Sequence, residues 1–364
     1  HQQKQQQQQQ QQKAPSAHHD QAMQTWLRLL PSQTSFRECL PIHWPESLVS
    51  GSSELSSVDY RPLELAVDAA HFARAPVMYD LMEAIPSHYH GHGNNGHEND
   101  GDDDEGAMMM MATRERIVEW ALDVVQTRSC RCSSSRESLD DDDDDDNNKV
   151  DEEEENLRVL VPVFDMINHS PEPNAEFFRE GDRMTVKATS DMDANEQVCI
   201  HYGKSTVPAW KRLFSYGFCD TGGSSNSGDD DDGGFAVYED DAVEIVLGDR
   251  FRFEISPTEI PGELIGYQAQ QQMQKNRADD GADDGDDVPA DVEFTPEIGR
   301  GIVDQLTMVA SGLERKRDDV ANAAATSEDS SMATSLKLVA DLHESHRRTV
   351  LTCAGGLREY LQGE

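Results

Sequence analysis

Three polar residues follow a nearly continuous apolar segment, 157–164, and they are the first candidates for chemistry. Asp165 comes directly after the segment, and Asn168 and His169 come just before a proline-rich turn. A buried carboxylate, amide or imidazole costs free energy unless it has a hydrogen-bond partner. The segment therefore either reaches the surface here or lines a binding site. On its own, the Asn-His pair is also explained by a polar turn that closes a strand.

Two tyrosines downstream are the next candidates. Tyr202 lies near the end of the segment EQVCIHYG, where Val198, Ile200 and Tyr202 share one face of a predicted strand. Tyr216 lies in the later segment SYGF. A tyrosine at the end of a strand or beside a core is commonly there for packing alone, so spacing leaves both roles open.

The surrounding pattern predicts the elements that position these residues. Period-two stretches indicate strands, and apolar residues three and four apart indicate helices. The predicted strands are 157–164, RMTVKATSDM and EQVCIHYG. The predicted helices are 60–85, TRERIVEWALDVVQTRSC with Ile117, Trp120, Ala121, Val124 and Val125 on one face, and STVPAWKRLFSYGF, begun at Ser205 or Thr206 with Pro208 in its first turn.

The chain beyond the Gly/Ser/Asp-rich stretch 221–234 has a different pattern. Two strand-like segments, AVEIVL and FRFEI, precede long helical segments. The apolar positions at helical spacing are Ile302, Leu306, Val309 and Leu313, followed by Leu338, Leu342, Val350, Cys353, Leu357 and Leu361. The pattern predicts two domains, one of mixed α+β character before the stretch and one that is mostly helical after it.

The net charge of −40 is concentrated in acidic runs. Five windows (98–105, 140–146, 151–155, 229–232 and 279–287) hold 28 acids and no Lys or Arg, so the rest of the 364-residue chain carries −12. Such runs repel themselves and stay solvated, which favours insertions without a binding role. Wholesale binding to a phosphate backbone relies on clustered Lys and Arg, so we expect no nucleic-acid partner.

The cysteines, histidines and apolar runs narrow the class further. Six cysteines are scattered, and Cys130-x-Cys132 without a second pair is a poor zinc signal, so we expect no metal and reduced thiols. This indicates an intracellular protein, in a compartment that the sequence does not specify. The tract 87–105 holds four histidines, but its Gly/Asn/Asp content is more typical of an insertion than of a metal site. No run of about 18 apolar residues predicts a membrane span.

Several of these segments resemble one family at these separations. VPVFDMINHSPEPN, NEQVCIHYGKS and LFSYGF resemble the C-terminal half of a SET domain, in the branch typified by the plant Rubisco large-subunit lysine methyltransferase. Upstream, WLRLLP, PIHW and WALDVVQTR resemble the helical insert that this branch carries inside its SET domain. The resemblance spans 24–364, with acidic interruptions. The C-terminal helical region matches the branch's substrate-binding domain.

The resemblance implies a fold class and a domain division. The fold class is α+β: a SET domain of small β-sheets with a threaded C-terminal segment and a helical insert, followed by a mostly α-helical substrate-binding domain. The implied divisions are a Gln-rich disordered tail 1–20, a partial SET domain 21–220 with acidic loops 87–112 and 133–155, a linker 221–234, and a substrate-binding domain 235–364 with an acidic loop 276–290.

The resemblance also implies an activity. SET enzymes move the methyl group of S-adenosylmethionine onto an amine by in-line displacement, so positioning and electrostatics carry the rate. By resemblance, the Asn168 side chain faces the methionine end of this cofactor and the His169 backbone faces its adenine. Arg128 and Asp165 shape the same pocket.

The remaining site residues belong to the substrate side. By resemblance, Tyr202 is the catalytic tyrosine, which also borders the cofactor, and Tyr216 lies beside the lysine channel. Cys130 stands where lysine-directed relatives carry an aromatic residue, and a relative that methylates actin histidine differs at the same place. The expected substrate is therefore a lysine side chain of a non-histone protein, with histidine as the alternative. We expect a monomer without a membrane partner.

The resemblance is incomplete at one point. In the family, strands with a Gly-x-Gly turn that cradles the cofactor precede the insert, whereas a Gln-rich tract precedes Trp26 here. The lookalike EIGRGIVDQL, 297–306, has helical apolar spacing and is rejected as that turn. Two alternatives stay open. One is a truncated or inactive SET relative that binds proteins through its helical domain, and the other is a protein whose acidic loops collect basic partners.

Overall fold

A computed structural model of the chain describes residues 17–49, 61–85, 103–131, 158–180, 183–202, 207–219, 242–247, 251–280 and 294–363. The chain forms two compact units that alternate along the sequence. The first unit is made of His1–Ser32 and Ala121–Ile200, and the second of Gln33–Trp120 and His201–Glu364. The predicted linker 221–234 lies outside the described residues, so the predicted domain division stays a prediction.

The helices carry most of the described chain. Helix α8 begins with the Thr295 hydroxyl accepting a hydrogen bond from the Ile298 N–H, and Pro296 takes the first helical position, where no N–H is needed. The helices are α1 (Ala17–Leu29), α2 (Gln33–Cys39), α3 (Glu46–Val49), α4 (Arg61–Ala84), α5 (Asp103–Arg128), α6 (Ala209–Tyr216), α7 (Gly262–Asp280), α8 (Pro296–Thr326) and α9 (Ser330–Gly363).

The described strands form four pairs. Three pairs are antiparallel and one is parallel, and each pair is short. The antiparallel pairs are β1 (Ser129–Arg131) with β2 (Arg158–Leu160), β4 (Ala175–Glu180) with β5 (Arg183–Ala188), and β7 (Val243–Leu247) with β8 (Phe251–Ile255). The parallel pair is β3 (Asn168–His169) with β6 (Cys199–Ile200).

The second unit contains two buried apolar clusters. One joins the β7–β8 hairpin to α7, α8 and α9, and Ile302, Leu306 and Val350 lie at its centre. The other joins α4, α6 and α9 through residues such as Leu63 and Leu213. The apolar spacing predicted for α8 and α9 is therefore confirmed, because the periodic positions on both helices face these clusters. The segment EIGRGIVDQL lies within α8, as its helical spacing predicts.

Several predicted boundaries are wrong. The strand predicted at 157–164 is described only over Arg158–Leu160, because Pro162 has no N–H for a ladder and a 3-10 helix follows at Phe164–Met166. The strand in EQVCIHYG is limited to Cys199–Ile200. Helix α6 begins at Ala209 rather than at Ser205 or Thr206, and Pro208 is the residue that precedes its first turn.

Three predicted irregular segments are partly helical. Helix α1 begins at Ala17, inside the predicted tail 1–20. Helix α5 begins at Asp103, inside the predicted loop 87–112, where acidic residues suit the positive end of the helix dipole and an Ala/Met run has high helix propensity. Helix α7 continues to Asp280, inside the predicted loop 276–290, since adding a residue to an existing helix costs little. The predicted loop 133–155 lies outside the described residues.

The apolar face predicted for α5 is also partly wrong. Val118 and Val124 are buried, as is Asp123, whereas Ile117 and Val125 are each 41% exposed. The buried stripe is thus narrower than predicted and is displaced by one residue toward Val118. Spacing reports which residues share a face but not which edge of that face a neighbouring element covers.

Three further observations concern the described residues alone. No described helix combines the length and the apolar character needed to cross a membrane. Within these ranges, no three His, Cys, Asp or Glu side chains come together in a group that could hold a metal ion. None of the five cysteines described, Cys39, Cys130, Cys199, Cys219 and Cys353, forms a disulfide. The histidines of the tract 87–105 lie outside these ranges.

Candidate functional site

Asp165 is held from two sides within the first unit. The Trp26 indole N–H donates to both carboxylate oxygens of Asp165, at 3.1 and 2.9 Å. The Arg128 guanidinium donates to the main-chain carbonyl of Asp165 at 2.5 Å. Asp165 is only 7% exposed, so these contacts supply the partners that a buried carboxylate requires. Helix α1, the end of α5 and the 3-10 helix Phe164–Met166 therefore meet at this residue.

The 3-10 helix begins from a strained residue. Val163 has φ 76° and ψ −46°, a left-handed conformation that is unfavourable for a β-branched side chain. Its side chain is 77% exposed. The turn closes through hydrogen bonds from the Asp165 N–H to Val161 and from the Met166 N–H to Val163, both at 3.1 Å. A strained backbone persists only where neighbouring contacts hold it.

Asn168 and His169 form strand β3. Asn168 lies opposite Cys199 and His169 lies opposite Ile200 in the parallel pairing with β6. The ladder continues through a 3.0 Å hydrogen bond from the Ser170 N–H to the Ile200 carbonyl. Asn168 is exposed and His169 is half-buried. This pairing brings together two segments that are 31 residues apart in sequence, counted from Asn168 to Cys199.

Asn174 holds the start of β6. Its side-chain carbonyl accepts from the Cys199 N–H at 2.8 Å, and its amide group donates to Glu196 and to the Gln197 carbonyl, both at 2.9 Å. The Asp193 backbone N–H and the Asn174 amide hold the pKa of Glu196 below its usual range. The loop before β6 is thus fixed by one amide side chain, which the sequence pattern did not single out.

Cys130 lies in β1, opposite Val159 of β2. Its half-buried thiol donates to the Val159 carbonyl at 3.6 Å. The predicted substrate-side residue therefore stands two positions after Arg128, on the strand that directly continues α5.

The second unit holds a cluster of three aromatic rings. The ring centroids of Tyr202 and Tyr216 lie 5.0 Å apart, and Phe218 lies 6.2 Å from Tyr202 and 6.0 Å from Tyr216. These are ordinary contact distances for packed aromatic side chains. The two predicted tyrosines are thus brought into contact, and Phe218 is an additional member that the sequence analysis missed.

A glycine allows the chain to turn inside this cluster. Gly217 ends α6 with φ 78°, and its N–H donates to the Leu213 carbonyl at 2.9 Å. A Cβ atom at this position would lie 2.8 Å from the Cys39 Cβ. Both the left-handed backbone and the close approach require glycine. Gly217 therefore lets Phe218 follow Tyr216 into the same ring cluster.

A comparison with protein families decides the identity of the chain. The sequence profile described as SET domain matches residues 10–203, more than half of the chain. This protein belongs to the SET domain family. The match includes the Asp165 turn, the β3–β6 pair and Tyr202. The predicted fold class, an α+β SET domain followed by a mostly α-helical region, is confirmed.

Two similar proteins were found. SET domain-containing protein 8 of Schizosaccharomyces pombe is 45% identical over 60 residues, which cover 16% of this chain and 14% of that protein. The matched segment therefore spans a small part of that relative's length. A solved structure, titled "Crystal structure of the SET domain of LSMT bound to Lysine and AdoHcy", is 14% identical, covers 92% of this chain and 70% of that chain, and has a TM-score of 0.39.

Within this SET domain protein, the predicted site residues fall into two groups. Arg128 and Asp165 are in contact, and Asn168 and His169 lie on the strand that pairs with β6. Tyr202 follows β6 by two residues and contacts Tyr216 in the second unit. Trp26, Asn174 and Phe218 were missed as site residues. All three lie in or beside the quoted motif segments, but no spacing rule assigns their partners.

Proposed function

We propose that this SET domain protein is an S-adenosylmethionine-dependent protein methyltransferase, of the Rubisco large-subunit lysine methyltransferase-like branch, that acts on lysine in a non-histone protein. The observation that carries the proposal is the β3–β6 pair. It joins the Asn168–His169 motif to the strand that leads, two residues later, to Tyr202. The motif segments that carry the resemblance are thus paired as well as correctly spaced.

The chain's residues suit the proposed cofactor. Asn168 is exposed, and its side chain makes no hydrogen bond to the described residues, so its amide can both donate and accept toward a ligand. His169 beside it is half-buried, on the same short strand. We assign Asn168 to the methionine end and the His169 backbone to the adenine, while Arg128 and Asp165 shape the pocket. When bound, S-adenosylmethionine supplies the methyl group and a positive sulfonium.

Tyr202 is the proposed catalytic residue. A lysine side chain in water has a pKa of about 10.4, so it must lose a proton before it can attack a methyl group. Apolar surroundings disfavour the ammonium form and lower that pKa. The rings of Tyr216 and Phe218 pack against Tyr202 and provide such surroundings. The Tyr202 hydroxyl then orients the neutral amine by hydrogen bonding.

The target side is assigned with the same residues. Tyr216 and Cys130 are the proposed substrate-side positions, and the mostly helical C-terminal region is the proposed docking domain for the protein substrate. Because Cys130 replaces the aromatic residue of lysine-directed relatives, histidine is the alternative target. Mass spectrometry of a methylated substrate distinguishes the two, because the mass increase maps either to lysine or to histidine.

The test of the proposal is the substitution Tyr202→Phe. We expect calorimetry to show binding of S-adenosylmethionine by both the wild-type chain and the variant. Transfer of a labelled methyl group to substrate protein should fall by about two orders of magnitude or more, because the hydroxyl that orients the amine is gone. Tyr267→Phe is the matched control, since Tyr267 packs against Phe251 and Phe253 and lies outside the motif segments. Full activity in Tyr202→Phe would contradict the assignment.

A further inference from the structure

Trp26 makes a long-range contact that the proposed function does not use. It lies on α1, is half-buried, and bonds to a carboxylate 139 residues away. Its neighbours Leu27 and Leu29 are 43% and 64% exposed. An indole N–H usually finds an acceptor when it leaves water, and a carboxylate is the strongest acceptor that a protein offers. Trp26 therefore joins α1 to the 3-10 helix through one charge-assisted hydrogen bond shared by two oxygens.

Asp165 is poorly placed to bind a ligand directly. Its carboxylate accepts from the Trp26 indole, its carbonyl accepts from Arg128, and the residue is 7% exposed. The atoms that could recognise a cofactor are thus directed to the protein. The contribution of Asp165 to a site is to fix the backbone of the turn that contains it.

The same turn contains the strained residue. Val163, two residues before Asp165, has φ 76° and an exposed side chain, so its own packing does not hold it there. Asn168 starts β3 three residues after Asp165. The contacts at Asp165 therefore lie between a strained backbone and the residue that presents its amide to solvent.

We propose that Trp26 is a positioning residue for the cofactor site, acting through Asp165 to keep the turn 163–167 in the form that presents Asn168 and His169. We call the Trp26–Asp165–Arg128 contacts the turn lock. This inference rests on the proposed function, because it assigns the presented residues to S-adenosylmethionine. The turn lock raises the fraction of molecules with a competent site, and apparent affinity falls in proportion to that fraction when the lock is weakened.

The experiment is Trp26→Phe, which keeps an aromatic ring and removes the donor. We expect the dissociation constant for S-adenosylmethionine, measured by calorimetry, to rise about tenfold, the effect of losing one charge-assisted hydrogen bond. The kcat at saturating cofactor should stay within about twofold, because bound molecules have the competent turn. Amide hydrogen exchange at 164–169 should accelerate.

A matched control separates positioning from general destabilisation. Trp44 donates its indole N–H to the Glu38 carbonyl at 3.1 Å and lies in the second unit, so Trp44→Phe removes the same donor elsewhere. We expect Trp44→Phe to leave cofactor affinity and exchange at 164–169 unchanged. Asp165→Ala should weaken cofactor binding at least as much as Trp26→Phe. The double variant should be no weaker than Asp165→Ala, since the indole acts through that carboxylate.

The outcomes distinguish this inference from the proposed function. A wild-type chain that binds no S-adenosylmethionine refutes the proposed function and this inference with it. A wild-type chain that binds, with Trp26→Phe equal to it, refutes the inference alone. Equal weakening by Trp26→Phe and Trp44→Phe also refutes it, because the effect would then be loss of stability. Additive effects of Trp26→Phe and Asp165→Ala would show that the indole does not act through Asp165.

Discussion

Glu344 is the centre of an ion-pair cluster between α8 and α9, and Glu344→Gln tests what that cluster contributes. Arg317 of α8 donates to Glu344 at 2.6 Å, and Arg347 and Arg348 donate at 2.8 to 3.0 Å. The Glu344 side chain is 13% exposed. Burial acts to raise the pKa of Glu344, but the hydrogen bonds and charges of the three guanidinium groups outweigh it and lower the pKa from 4.5 to about 2.

The pKa shift sets the size of the effect. One pKa unit corresponds to about 1.4 kcal/mol, so the full shift amounts to about 3 kcal/mol at neutral pH. Burial is the largest influence on Arg348 and lowers its pKa, whereas Arg317 and Arg347 are stabilised as cations, so part of this energy offsets the burial of Arg348. Glutamine also retains one acceptor oxygen. We expect Glu344→Gln to lower the free energy of unfolding by about 2 kcal/mol at pH 7.

The pH dependence of this difference follows from the direction of the shift. Because the folded-state pKa is lowered, the unfolded chain binds the proton first. The stabilisation is therefore complete above pH 4.5 and is lost as the pH falls to about 2. Urea unfolding of wild type and Glu344→Gln should differ at pH 7 and converge near pH 2.

A control tests whether any exposed carboxylate would give the same result. Glu314 lies 3.9 Å from Arg317 and its side chain is 51% exposed, so Glu314→Gln should change the free energy of unfolding by less than about 0.5 kcal/mol. The reasoning is refuted if Glu344→Gln is as stable as the wild type at pH 7. It is also refuted if the difference between them is the same at both pH values.

Two more predictions concern the interior of the second unit. Burial, followed by the charges of His343 and Arg212, holds the pKa of His346 well below 6.5, so the unfolded chain binds the proton first. The free energy of unfolding should therefore fall as the pH drops below about 6.5, and a His346→Leu variant with an equally steep slope would contradict this. Gly217→Ala should lose about 1–2 kcal/mol, whereas Gly312→Ala, whose nearest neighbour within α8 lies 4.0 Å away, should gain about 0.5–1 kcal/mol in thermal unfolding. A stabilising Gly217→Ala would refute the close approach.

The helical parts of the fold were the most predictable. The spacing of Ile302 and Leu306 predicts one buried face, and both residues are fully buried in α8. Local periodicity reports burial because side chains three and four apart share one side of a helix. The strand boundaries were less predictable. Ladder length depends on a partner strand, and β6 has only two residues although its apolar pattern is longer.

The candidate site was predictable in its residue types rather than in its contacts. Asp165, Asn168 and His169 stood out because polar groups at the end of an apolar segment require an explanation. Their partners could not be read from spacing. Trp26 lies 139 residues from Asp165, and a hydrogen bond over that distance leaves no local pattern in either segment. Gly217 is similar, since its need for glycine becomes visible only with Cys39 packed against it.

The sequence by itself determined which residue types are present and which segments are helical. It also carried the motif segments that identify a SET domain. These properties are local, because propensity and periodicity act over a few residues. Only the tertiary structure decided that Asp165 is held by Trp26 and Arg128, and that β3 pairs with the strand leading to Tyr202. Such pairings are made by burial and hydrogen bonding between distant segments, so they exist only once the chain has folded.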